Sequence, residues 1–591
     1  MKRSTLFVAA GLLIGLVATC NPQQFFVNLV LPKPQPYPDF VDKGSVQAEA
    51  RAISDGLEAH ILAWLDGKAP AEIPSSLLPK GMDLLDAPYV LANPETVSVA
   101  EQWIVRPASY TLDLNALKGL YPDPHCTYLV APVTLLPFGH KVIIDGEFPH
   151  ARFFDTQMSP PLDPAFYYYA KQFGAPEVPI VDADIDPLPG HVNPYRPGAA
   201  RQAGNRGYQV TFEMREGNGY AFEPAYREPL HRRAGNQRYA SAIQYQGPFG
   251  YKDIIGGHKR GKWDDGTLWI RNRYYAPDKN RDVRGGVGLP RVHYQTKDGR
   301  TYYIVAKNRA KEDQFVNRTY PARTGKPGPP TTLSQVKDFG WLRDLDIFHG
   351  GIVGIYGGNG KTSPAEKAEG RALVKGIAAR GGDLPPPGNS MSSNSRVPYI
   401  AYLSRGMSLD KEYVVVITGK LPTHPRTLRG NATMGTGQVR YLSFTFYPDP
   451  DFFKADDIGT PHASIMDEEM NLNAQGMYTL VYSRPNERPA NWNAPATNWQ
   501  NWGPAGFGGW TIRWLTVGPD WRDATIVPDA SHIPYDQASW LSDGWNPSLV
   551  SRNNRSGILG VHQPLVHYLK KETFERIGST LADRTAPYWE E

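Results

Sequence analysis

Between Arg440 and Tyr447 the chain alternates with a period of two: Leu442, Phe444 and Phe446 share one face, while Tyr441, Ser443, Thr445 and Tyr447 share the other. That period marks a half-buried strand. Arg152, Phe154, Thr156 and Met158 repeat it far upstream, with Asp155 and Gln157 opposite. Runs of this kind, broken by Pro-Asp and Gly turns, predict a mainly β chain built of antiparallel β-sandwiches or jelly rolls. Helical spacing is peripheral. Ser45 to Gly67 carries Ile53, Leu57, Ile61 and Leu65 on one stripe. Pro364 to Gly382 follows a Ser363 cap and ends in glycine. Pro564 to Arg584 predicts a third helix.

The strand runs recur in order. "KVIIDGEFP" (Lys141 to Pro149) answers to "VVVITGKLP" (Val414 to Pro422), and "ARFFDTQM" (from Ala151) to "VRYLSFTF" (from Val439). "VDADIDPLPGHV" (Val181 to Val192) answers to "MDEEMNLNAQG" (Met466 to Gly476). "YQVTFEM" (Tyr208 to Met214) answers to "YTLVYSR" (Tyr478 to Arg484), and "WIRNRYYAPD" (Trp269 to Asp278) to "TIRWLTVGPD" (Thr511 to Asp520). Five weak matches in one order imply two related units in tandem. Each unit carries an insertion that the other lacks: 215–268 in the first, and the stretch between Pro422 and Arg440 in the second. The reading divides the chain into a leader (1–20), an N-terminal helical region (21–90), a first sandwich (91–320), a linker with a helix (321–395), a second sandwich (396–530) and a C-terminal extension (531–591).

Composition narrows the class. A chain of 591 residues exceeds one core. Its 57 Gly, 54 Pro and 32 Tyr favour short strands joined by turns. The formal charge of +4 is small for this length and no Lys/Arg block forms a nucleic-acid footprint, so nucleic acid is not an expected partner. "MKRSTLFVAAGLLIGLVATC" sets Lys2 and Arg3 before an apolar run from Leu6 to Ala18, the layout of a secretory signal. Val17-Ala18-Thr19-Cys20 resembles a lipobox that would lipidate Cys20 and tether the protein to a membrane, although Thr19 departs from the pattern. A retained anchor competes with this reading but is short for a span. With only Cys20 and Cys126 in the chain, no metal site can be built from cysteines, and neither metal nor cofactor is expected.

Candidate chemistry is sparse. Arg152 and Arg440 recur in register, which points to a structural arginine bonded to a carboxylate or to loop carbonyls. His150 and Asp155 do not recur and lie on opposite strand faces; with His258 and His424 they are the candidates for a loop-built catalytic site. "DADID" opens like a calcium loop, but Pro187 and Asn193 stand where such a loop needs Gly and Glu, so a turn fits better. "GIYGGNGKTSP" (Gly354 to Pro364) mimics a phosphate loop with its first glycine misplaced, and reads as helix entry. Between Trp492 and Trp521 lie six of the chain's 14 tryptophans. Exposed indoles there would stack on sugar rings or flat apolar ligands, with Trp499, Trp502, Trp510 and Arg513 as the expected ligand-binding residues. The competing reading packs them onto the sandwich.

The repeated layout of strand, Gly, Phe or Leu, Pro, then Ala or Val before Arg and an aromatic residue resembles exported bacterial β-sandwich domains of unknown function. The resemblance implies fold and export and contributes no catalytic residue. The expected function is binding of a glycan or other small organic ligand by an exported, membrane-tethered protein in the periplasm or at the cell surface. An envelope hydrolase or lyase is the second expectation, and a structural assembly protein the third.

Overall fold

The computed structural model describes residues 43–77, 89–108, 123–133, 136–159, 178–215, 236–241, 268–306, 400–428, 430–448, 461–503, 506–517 and 560–590. Strands of the first half are β1 (Tyr89–Ala92), β2 (Ile104–Arg106), β3 (Cys126–Val133), β4 (Lys141–Glu147), β5 (Ala151–Ser159), β6 (Val178–Val181), β7 (Gly207–Arg215), β8 (Gln237–Ser241), β9 (Leu268–Pro277), β10 (Arg291–Gln295) and β11 (Thr301–Ala306). Those of the second are β12 (Ile400–Ser408), β13 (Tyr413–Lys420), β14 (Val439–Pro448), β15 (Ala463–Met466), β16 (Met477–Ser483), β17 (Thr497–Asn501), β18 (Phe507–Val517) and β19 (Leu565–Lys570). Among the described residues the helices are α1 (Lys43–Leu65), α2 (Val99–Gln102) and α3 (Lys571–Ile577), with short 3₁₀ turns.

Each half is two sheets around one core. The first stacks β1-β11-β10-β4-β7-β8 on β2-β3-β9-β5-β6, and the second stacks β17-β16-β13-β19 on β12-β18-β14-β15. The order β10-β4-β7-β8 matches β19-β13-β16-β17, and β3-β9-β5-β6 matches β12-β18-β14-β15. Even the exceptions recur, since β7–β8 and β16–β17 are parallel in otherwise antiparallel sheets. Val142, Ile144, Phe154 and Phe212 fill the first core, with Leu57 and Ile61 of α1 laid on it. Ile417, Leu442, Phe444, Leu480, Trp510 and Trp514 fill the second.

One close approach proves the repeat at the level of single atoms. Gly146 pairs with Tyr208 across β4 and β7, and Gly419 pairs with Tyr478 across β13 and β16. A Cβ on Gly146 would lie 2.8 Å from the Tyr208 hydroxyl, and one on Gly419 would lie 2.5 Å from that of Tyr478. In both halves the glycine is required because the tyrosine lies across its Cα.

Two expectations change. Pro564 to Arg584 is not one helix: Leu565–Lys570 is a strand paired with β13, and only Lys571–Ile577 is α-helical. Leu565 to Leu569 are all buried, Val566 and Tyr568 against the second core and Leu569 against α3. A residue run buried on both faces suits a strand, here at the sheet edge with the core on one face and α3 on the other, and not an amphipathic helix. The second sandwich therefore draws a strand from the stretch read as a C-terminal extension. The match of "WIRNRYYAPD" to "TIRWLTVGPD" is also out by two: Ala151 opposes Pro277 while Val439 opposes Val517, so Arg273 and not Arg271 is the equivalent of Arg513. The predicted helix at Pro364 to Gly382, the phosphate-loop mimic and the leader lie outside the described residues.

Candidate functional site

The recurring arginines meet their partners across the two halves. Arg152 on β5 points its guanidinium at Asp467 and Glu468 of the second half, and its Nε donates to Thr427 Oγ1 at 3.0 Å. Arg440 on β14 donates to Asp182 Oδ1 of the first half at 2.7 Å. Both acids sit in the 3₁₀ turn that follows the equivalent strand, Asp182–Asp184 and Asp467–Glu469. Each uses its other oxygen at home. Asp182 Oδ2 accepts from Phe154 N at 2.9 Å, and Asp467 Oδ2 from Leu442 N at 2.8 Å. The "DADID" stretch is thus a turn whose carboxylate serves an arginine. Burial pushes Asp182 up to about 6, against the lowering effect of Arg440 and of two backbone N–H groups.

An apolar seam lies beside this exchange. Phe153, Val181 and Tyr275 of the first half pack with Tyr441, Met466 and Leu515 of the second. These are three equivalent pairs, so the same patch of each half meets the other, as in a two-fold symmetric dimer. The Tyr275 and Tyr441 rings lie 5.3 Å apart.

The symmetry breaks at one polar cluster. In the first half Asp155 holds Arg273 through both carboxylate oxygens. In the second half the place of Asp155 is taken by Ser443. Asp123 of the first half reaches across to this place: its Oδ2 lies 4.0 Å from Arg513 Nε and accepts from Ser443 Oγ at 2.7 Å and Tyr441 Oη at 2.8 Å. Arg513 also donates to Thr445 Oγ1 and Tyr447 Oη at 3.0 and 2.9 Å. His125 lies between Asp123 Oδ1 at 3.3 Å and Glu469 Oε2 at 2.9 Å. Burial pulls His125 down, but the two carboxylates outweigh it and raise it to about 9, so the imidazolium bridges the halves at neutral pH. Asp123 is held below the usual carboxylate range, where His125 and Arg513 overcome its burial.

The second-half insertion closes the seam. Ala200 pairs with Thr433, Arg201 N donates to Ala432 O at 2.9 Å, and Arg201 Nη1 donates to Asn431 O at 3.1 Å. Met434 of this loop belongs to the first core. The insertion is a clasp between the halves.

The sequence candidates fare differently. Trp502 and Trp510 are fully buried and Arg513 is 2% exposed, so the expectation of exposed indoles is not met at these positions. Trp510, Ile512 and Trp514 alternate inward along β18, and Trp502 packs 4.6 Å from Phe446 and 5.5 Å from Trp510. That alternation was available in the sequence; the glycines around it suggested a loop. Trp499 is half-buried and donates its Nε1 to Ser483 Oγ at 2.9 Å. Trp492, 38% exposed, stands edge-on to it at 6.4 Å, and the Arg488 guanidinium lies 4.5 Å from the Trp492 ring and 5.1 Å from that of Trp499. The loop holding them is pinned to α3 by Ala490 N on Glu575 Oε1 (2.6 Å) and by Asn491 Nδ2 on Phe574 O (3.3 Å). Arg488 and Trp492 carry no periodic signal in the sequence, because the guanidinium meets the two indoles only through the fold of the loop.

His150 and Asp155 do not form a dyad. Asp155 is spent on Arg273, and His150 takes the Arg206 guanidinium on its ring, with burial and then Arg206 pulling it down to about 4. His424 flanks the seam, 3.1 Å from Pro422 O and 4.0 Å from Asp467. His258 and Cys20 lie outside the described residues. No group of His, Cys, Asp and Glu among the described residues has metal-binding geometry, and no described helix is long and apolar enough to cross a membrane.

No known family matches the chain, and no curated protein does. Among solved structures it is similar to an uncharacterised protein from Burkholderia cenocepacia, 10% identical over 93% of this chain and 95% of that one, with a TM-score of 0.34. It is also similar to a protein from Vibrio parahaemolyticus, 9% identical over 71% of this chain and 89% of that one, with a TM-score of 0.26.

Proposed function

We propose that the protein is an exported, membrane-tethered binding protein whose ligand, a glycan or another flat organic molecule, stacks on the Arg488–Trp492–Trp499 cluster. The observation that carries the reading is the cluster itself: an exposed indole set edge-on to a second, with a guanidinium across both faces. Indole faces take the C–H face of a sugar ring, and a neighbouring guanidinium supplies hydrogen bonds to its hydroxyls. Anchorage of the loop to α3 removes much of the ordering cost of binding. Export rests on the leader sequence, and tethering on Cys20 or on a retained leader.

The test is a titration of the mature protein with a panel of neutral and acidic oligosaccharides, read by tryptophan fluorescence and calorimetry. Trp492→Ala should remove binding, by at least about tenfold in Kd for a lost stacking ring, with the melting temperature unchanged because the side chain is exposed. Trp499→Ala should also weaken binding but lower stability, since that ring packs on the apolar layer under α3. Saturable binding that survives Trp492→Ala would move the site elsewhere, and absence of binding across the panel would sink the reading.

A further inference from the structure

The seam has the chemistry of an interface between separate subunits. Its apolar centre is made of three equivalent pairs, its rim of two reciprocal arginine–carboxylate contacts, and its closing loop runs from one half into the core of the other. We propose that the two halves are specific non-covalent partners, bound to each other without help from the connecting chain, and that Asp155, where the second half has Ser443, keeps the first half from pairing with its own copy.

The discrimination follows from the cluster around Asp123. Against the second half, Asp123 receives hydrogen bonds from Tyr441 and Ser443. A first half meeting another first half would present Phe153 and Asp155 at those two places. Asp123 would lose both donors and face a carboxylate, although the arginine exchange, Arg152 against Asp182, would still be possible. The mixed pair gives Asp123 both donors and no opposing carboxylate, which is specificity by rejecting the alternative as well as by fitting the partner.

The experiment starts from the full chain with a specific protease recognition sequence placed between residues 306 and 400. The purified protein is cut and analysed by native mass spectrometry and size-exclusion chromatography. The fragments are expected to stay together one to one at micromolar concentration and, after separation in denaturant, to re-form the mixed pair and no homodimer of the first half. In the cut protein Ser443→Asp should weaken the pair on the order of 100-fold, the usual scale for opposed buried charges, and Asp123→Asn added to it should restore most of the loss. The rescue separates an effect at the seam from a misfolded second half, and near-UV circular dichroism of each variant checks the same point. Fragments that part at micromolar concentration would overturn the proposal. So would first-half homodimers that form as readily as the mixed pair, or a Ser443→Asp pair that holds as well as wild type.

Discussion

At the scale of single residues, the pair Arg152 and Arg440 shows how one residue type at equivalent places carries unequal weight. Arg152 is wholly buried and serves two carboxylates, whereas Arg440 keeps 13% of its side chain exposed and serves one. Arg152→Ala would strand Asp467 and Glu468 in the seam, which costs about 3–5 kcal/mol for a broken buried pair; Arg440→Ala should cost visibly less. Urea unfolding of the two variants measures this directly, and equal losses would mean that the burial difference is immaterial. Arg152→Lys should recover little, because one ammonium cannot reach both acids in the planar geometry of a guanidinium. The histidines set the pH profile. His125 is raised in the folded protein, so its contribution is complete below about 6.5 and is lost as pH rises through about 9. His150 is lowered, so its contribution is complete above about 6.5 and is lost as pH falls toward about 4. Melting temperature should therefore fall as pH rises above neutrality, and His125→Gln should flatten that fall; on the acid side Asp182, raised to about 6, gains stability as it protonates and offsets part of the His150 loss.

At the scale of elements, four of the five repeated strand pairs were legible in the sequence in the correct register, and the fifth was not. The reason is physical. A strand repeats its faces every two residues, so a slip of two returns the same faces to the same sides. Aligning "APD" with "GPD" satisfied the pattern while moving Arg513 off its true equivalent, Arg273. The paired carboxylates of the seam were illegible for another reason: Asp123, His125 and Glu469 come together only when two distant turns are docked. The glycine-tyrosine device, by contrast, was present in both matched segments. Gly146→Ala and Gly419→Ala should each cost about 1–3 kcal/mol, the range for forcing a methyl group into a packed site, and by similar amounts because an equivalent tyrosine hydroxyl opposes each, Tyr208 the first and Tyr478 the second. A chemical denaturation series checks it, and a neutral Gly419→Ala would refute the equivalence of the two strands at that point.

At the scale of the whole molecule, the described residues form two related sandwiches placed face to face, with the proposed binding surface at the far edge of the second. The seam uses the outer faces of β5, β9, β14 and β18, which leaves the β17 edge with its aromatic loop away from it. Asp155 stands on one sandwich where Ser443 stands on the other, and the proposed preference for the sister half rests on that difference. The most direct measurement is a double-mutant cycle across the seam, with Arg440→Met, Asp182→Ala and the two together, read as unfolding free energy. The expected result is a coupling of at least about 1 kcal/mol between residues 258 positions apart. Additivity within about 0.3–0.5 kcal/mol, the scatter of independent sites, would mean that these side chains do not meet and that the halves are not joined in this way.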